Sequence, residues 1–146
     1  MTDLTATNEV IRVGPIDVQF RLLAGSTSGS LTMFEFRVPT RARVPVPHSH
    51  DAFDETVYGL EGFTTWTLDG KKTRVGPSDV LFIPRGHVHQ FENLDAQDAL
   101  VLSVITPGLL GPEYFREIAE VLNEGGPPNV ERIMDVMRRH GLRPAS

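Results

Sequence analysis

The sequence predicts an all-β domain with two short helices at its C-terminal end. Three observations lead there. Through residue 111, glycine and proline fall at short intervals between apolar stretches, the punctuation of many short strands. Several of those stretches alternate apolar and polar residues with the period of a half-buried strand. Beyond Pro107 the period lengthens to that of a helix. Eight or so short strands at regular spacing suit a sandwich, a jelly roll or a small barrel, and periodicity alone leaves all three open.

Ile16, Val18, Phe20 and Leu22 alternate with polar residues, and the turn-rich run Gly25 to Ser30 ends that strand. Leu31 to Val38 is the next. Arg41 to Pro47 reads as irregular, because Pro45 and Pro47 have no N–H to give a ladder and mark an edge or an approach loop. Further strands are expected at Glu55 to Leu60, Phe63 to Leu68, Lys71 to Val75, Val80 to Ile83, Val88 to Asn93 and Leu100 to Thr106. Asp69-Gly70 joins two of these as a two-residue hairpin, since both residues tolerate positive φ. Gly111-Pro112 opens a helix with Phe115, Ile118, Ala119 and Leu122 on one face, and Gly125 to Pro128 ends it. A second helix carries Val130, Ile133, Met134 and Met137 on one side and stops at Gly141. About 40 residues make a poor independent core. A single domain over 1–146 is therefore expected, with a barrel from about 8 to 106 and a helical appendix from about 110 to 141.

A chain of 146 residues buries roughly 70% of its unfolded surface and needs no metal to have a core, so a metal site would be there for chemistry. Net charge −5, with no basic stripe, excludes nucleic acid as the expected partner. There is no apolar run long enough for a membrane span and no secretion signal at the start, so the expected location is cytoplasmic and no membrane partner is expected. Without cysteine, a metal would be held by nitrogen and oxygen.

Four of the five histidines form two pairs at i, i+2: His48 with His50, and His87 with His89. On a strand that spacing puts both rings on one face. Glu55 opens the next extended segment. Three imidazoles and a carboxylate make a plausible site for a divalent ion, with two positions of an octahedral metal left for substrate. His87 shares parity with His89 but falls in the turn after Pro84-Arg85-Gly86, which makes it a pocket residue rather than a ligand. His140 closes the last helix, where a cation is favourable.

The stretch His48-Ser49-His50-Asp51-Ala52-Phe53-Asp54-Glu55, followed after six residues by Gly62, resembles the first motif of the cupins, HxHx(3,4)Ex(6)G. Pro84-Arg85-Gly86-His87-Val88-His89-Gln90-Phe91-Glu92-Asn93 resembles the second, PxGxxHxxxN. The glycine that opens each motif is replaced by Ala42 and Ser78, which touches backbone geometry and not the ligands. The resemblance implies a double-stranded β-helix, the jelly-roll cupin barrel. It also implies one divalent transition metal (Fe, Ni, Mn, Co, Cu or Zn) ligated by His48, His50, Glu55 and His89.

Phe36, Tyr58, Trp66, His87 and Phe91 are the candidate pocket residues, giving an aromatic-lined cavity for a planar small-molecule substrate. The His-Ser-His pair, the segment after the barrel and the short form are similar to the quercetin dioxygenase-like cupins. That similarity implies a metal-dependent dioxygenase acting on a small aromatic or enolisable substrate, with Glu55 as both ligand and catalytic base. The alternatives are a non-redox isomerase, lyase or hydrolase, and a small-molecule binding cupin without turnover. A homodimer is expected, with Val10 to Val13 as a strand that could exchange.

Overall fold

A computed structural model describes residues 9–44 and 46–145; Pro45 and the expected barrel start at about residue 8 lie outside the described residues. In chain order the strands are β1 (Val10–Val13), β2 (Ile16–Leu22), β3 (Thr32–Val38), β4 (His48–His50), β5 (Asp54–Glu61) and β6 (Thr64–Leu68). They continue as β7 (Lys71–Val75), β8 (Val80–Ile83), β9 (His89–Glu92) and β10 (Ala99–Thr106). Two helices follow, α1 (Pro112–Leu122) and α2 (Val130–Arg139), and a last strand β11 (Leu142–Pro144). All pairings are antiparallel. One sheet has the order β1-β2-β3-β10-β5-β8 and the other β11-β4-β9-β6-β7. The two sheets face each other as a jelly roll.

Beyond the eight strands expected from periodicity the structure has β1, where Val10 to Val13 was expected as a strand, and β4 and β11. They are three or four residues long and owe their extended form to ladder partners: β1 to β2, β4 to β9 and β11, and β11 to β4.

Local chemistry explains the turns. Asp69 (φ 50) and Gly70 (φ 82) form the tight connection between β6 and β7, as their tolerance of positive φ predicts. Gly59 lies on the inward face of β5, where an added Cβ would sit 1.9 Å from the carbonyl oxygen of Gly76. Only glycine lets β5 pass that close to the turn before β8. Ser78, which stands where the second motif has its opening glycine, keeps a glycine-like φ of 70. Its N–H donates to the Gly59 carbonyl at 2.9 Å.

Pro112 starts α1, where its missing N–H costs nothing. Asn129 caps α2 by accepting from the Arg132 N–H, and Gly141 (φ 84) releases the chain into β11. Phe115 of α1 is set among Phe20, Phe34 and Phe36, with ring centroids 5.7, 5.2 and 5.9 Å away. Helix and barrel thus share one core. No helix among the described residues is long and apolar enough to cross a membrane.

Candidate metal centre

The two sheets contribute different chemistry to one point between them. The second sheet supplies imidazoles. On β4, His48 and His50 share a face, and His48 stands directly opposite His89 of β9 in the ladder. The ring centroids are 4.7 Å apart for His48 and His89, 4.6 Å for His50 and His89, and 5.2 Å for His48 and His50. One nitrogen from each ring lies within 4.8 Å of the others, a spacing at which the three could hold a metal ion.

The first sheet supplies the carboxylate. Glu55, on the inward face of β5, brings Oε1 to 3.6 Å from His89 Nε2 and 3.9 Å from His50 Nε2. Its Oε2 accepts from the Ser103 hydroxyl at 2.8 Å. Glu55 therefore borders the histidine cluster from across the barrel.

The tautomers follow from the backbone. His48 Nδ1 lies 3.1 Å from the Val46 carbonyl and His89 Nδ1 lies 3.0 Å from the His87 carbonyl. A carbonyl only accepts, so each Nδ1 carries the proton and donates it. In a neutral ring that leaves Nε2 with a free lone pair. Burial, reinforced by the neighbouring His89 and His50 rings, lowers the pKa of His48 to about 3. Burial likewise lowers that of His50 to about 4, against the attraction of Glu55. Both rings are neutral near pH 7, the form that ligates metals.

Burial alone would raise the Glu55 carboxyl. The adjoining His89 and His50 rings and the Ser103 hydroxyl outweigh it and hold the group at about 2. His89 Nε2 is buried and has no hydrogen-bond partner. Such an atom costs about 1–3 kcal/mol when left unpaired. Together with the neutral His48 and His50 rings and an ionised carboxylate, it forms a donor set that fits a divalent transition metal.

The cluster opens on a cavity of about 400 Å³, within the range of small-molecule sites. Phe36, Trp66 and Phe91 line it, as a connected aromatic wall: Phe36 to Phe91 is 5.2 Å and Phe91 to Trp66 is 4.6 Å between centroids. Two expected pocket residues lie elsewhere. Tyr58 is 38% exposed on the outer face of β5, because the strand turns Glu55, Val57 and Gly59 inward and the even positions out. His87 is exposed in the turn before β9, where its Nδ1 pairs with the Asp69 carboxylate.

Sequence reasoning missed Ser103. Ser103 follows the inward parity of Val101 and Ile105, so a polar residue at an apolar position was a usable signal. Leu110, Tyr114, Ile118, Ile133 and Met137 also line the cavity, which makes the helices its far wall.

A profile described as "Cupin domain" matches residues 34–105. Quercetin 2,3-dioxygenase of Bacillus subtilis is 33% identical over 95 residues, 65% of this chain and 27% of the relative. Tetracenomycin polyketide synthase protein TcmJ of Streptomyces glaucescens is 30% identical over 89 residues, 61% of this chain and 58% of the relative. This chain thus spans well under two thirds of either protein. Among solved structures, a predicted oxalate decarboxylase of Thermotoga maritima superposes with a TM-score of 0.63 at 23% identity, covering 70% of this chain and 94% of that one. Both histidine motifs fall inside the matched region, and the two-sheet barrel superposes on that solved structure. The chain is a member of the cupin superfamily.

Proposed function

We propose that His48, His50, Glu55 and His89 hold one divalent transition metal, and that the protein is a dioxygenase-like enzyme acting on a small aromatic or enolisable substrate. The observation that carries the reading is the unpartnered Nε2 of His89, which meets two further imidazoles and a carboxylate at the head of an aromatic-walled cavity. The similarity to quercetin 2,3-dioxygenase and to a polyketide synthase protein supports an aromatic or enolisable substrate.

A divalent transition metal in this donor set supplies Lewis acidity toward a substrate oxygen and, where the ion is redox-active, an electron path to O₂. The rest follows from the chain. Carbonyls of Val46 and His87 fix the orientation of His48 and His89, so their Nε2 atoms converge without reorganisation. Glu55 is ionised, and Ser103 occupies its Oε2. Oε1 is then the atom that accepts the proton of a substrate hydroxyl. The aromatic wall takes the flat face of the substrate and excludes water, which strengthens each polar contact at the cluster.

The test is metal analysis by plasma mass spectrometry on untagged protein, followed by an oxygen electrode with flavonols and 1,3-diketones. About one equivalent of Fe, Ni, Co, Mn or Cu with substrate-dependent oxygen uptake is expected. Absence of metal after reconstitution sinks the reading. Turnover with zinc and no oxygen uptake would replace it with a lyase or hydrolase.

A further inference from the structure

Tyr114 is the third residue of α1 and lies on the face that the helix turns to the barrel, beside Phe115 and Ile118. It is 6% exposed and forms part of the cavity wall. Its ring meets Phe115 edge-on at 5.0 Å and His140 at 5.5 Å. These contacts fix the ring and would be made equally by phenylalanine. The hydroxyl adds nothing to them, and it has no hydrogen-bond partner among the described residues.

Several buried polar side chains of the barrel are paired within the protein. Trp66 Nε1–H donates to Thr64 Oγ1 at 2.9 Å, the Thr32 hydroxyl to the Leu110 carbonyl at 2.9 Å, and the Asn93 amide to the Val38 carbonyl at 2.9 Å. Burial also pushes the Tyr114 phenol above its ordinary pKa, so it stays protonated and acts as a donor. An unpaired phenol in a ligand-sized cavity costs stability unless a ligand or solvent completes it.

We propose that Tyr114 is a specificity-determining residue of this cavity, its O–H donating to an oxygen at the far end of a substrate whose ionisable hydroxyl lies at the histidine cluster. The inference rests on the functional reading above and narrows it. The substrate class becomes a flat aromatic molecule with oxygen functions at both ends. Between them the Phe115, Phe36 and Phe91 rings form a continuous apolar path, with successive centroids 5.9 and 5.2 Å apart.

The sole tryptophan, Trp66, lines the cavity, so its fluorescence reports occupancy directly. Metal-loaded protein would be titrated with 3-hydroxyflavone, which has one hydroxyl, and with its 7-hydroxy and 4′-hydroxy derivatives, which present a second oxygen at a distance. Wild type is expected to bind one derivative about tenfold tighter than 3-hydroxyflavone, the range of a buried neutral hydrogen bond. Tyr114→Phe is expected to bring that ratio to about one, with a melting temperature no lower than wild type.

Retention of the preference by Tyr114→Phe overturns the inference. A lowered melting temperature does so too, since the hydroxyl would then serve the fold. Equal binding of all three flavonols by wild type overturns the inference alone. Failure of wild type to bind any of them overturns the functional reading with it.

Discussion

At the scale of single residues, Ser103 shows how a neutral group sets the state of a charged one. Its hydroxyl donates to Glu55 and helps keep that buried carboxyl ionised. In Ser103→Ala the carboxyl should titrate higher, and metal affinity should fall about tenfold, measured by competition with a chromophoric chelator. His89→Ala should lose the metal altogether, whereas His87→Ala should keep a full equivalent, since that ring faces solvent and Asp69. Metal content of the two variants side by side decides it. Ser78→Gly should raise stability by about 1 kcal/mol in urea denaturation, because serine at φ 70 carries a backbone cost that glycine does not.

His48 and His50 were legible in the sequence because i, i+2 spacing on a strand survives folding unchanged, and Glu55 and His89 through the two motifs; the same spacing misled at His87, which lies in a turn. The inward parity of Glu55 also placed Tyr58 outside, a signal that the aromatic character of Tyr58 obscured. His87 was illegible for another reason. Its orientation is set by Asp69, in a turn far away along the chain.

At the scale of elements, hairpins and helices could be read where the local residues dictate them. Asp69-Gly70 forces a tight turn, and Pro112 with the i, i+3, i+4 apolar positions forces α1. Strand β11 has no such signature. Leu142, Arg143 and Pro144 are extended because they pair with His50, Ser49 and His48, so the strand exists only through a contact made across most of the chain.

That pairing gives β4 its second neighbour, and the Arg143–Asp51 ion pair at 3.0 Å lies at its edge. Removing the residues after Gly141 should lower both melting temperature and metal affinity, read by calorimetry and metal titration. An unchanged metal affinity would mean that β9 alone orders the ligand strand. Gly59→Ala tests the other sheet: its Cβ would be driven against the Gly76 carbonyl, and a loss of about 3 kcal/mol is expected in the same denaturation assay.

For the whole molecule, the proposed metal site lies between two sheets, and its occupancy and protonation act on the barrel as a unit. In the metal-free protein, His48 and His50 have folded pKa values of about 3 and about 4, against an ordinary 6.5 in the unfolded chain. Between those values the unfolded state binds more protons, so stability rises with pH through that window and falls on acidification. Glu55 acts with the same sign lower down: its contribution is present above 4.5 and is lost as pH falls toward 2. The melting temperature of metal-free protein should therefore decline steadily from about pH 7 to about pH 4, a trend that a pH-independent melt would contradict. Saturating metal should raise stability, by about 2.7 kcal/mol at a free concentration about 100 times Kd, and chelation should reverse the gain.

The closing strand has a practical corollary. The Ala145 N–H donates to the Pro47 carbonyl at 2.8 Å, one residue before His48. Anything attached beyond residue 145 is thus delivered beside the ligand strand. A polyhistidine handle fused there would carry competing imidazoles to the neighbourhood of the metal centre, inflating metal stoichiometry.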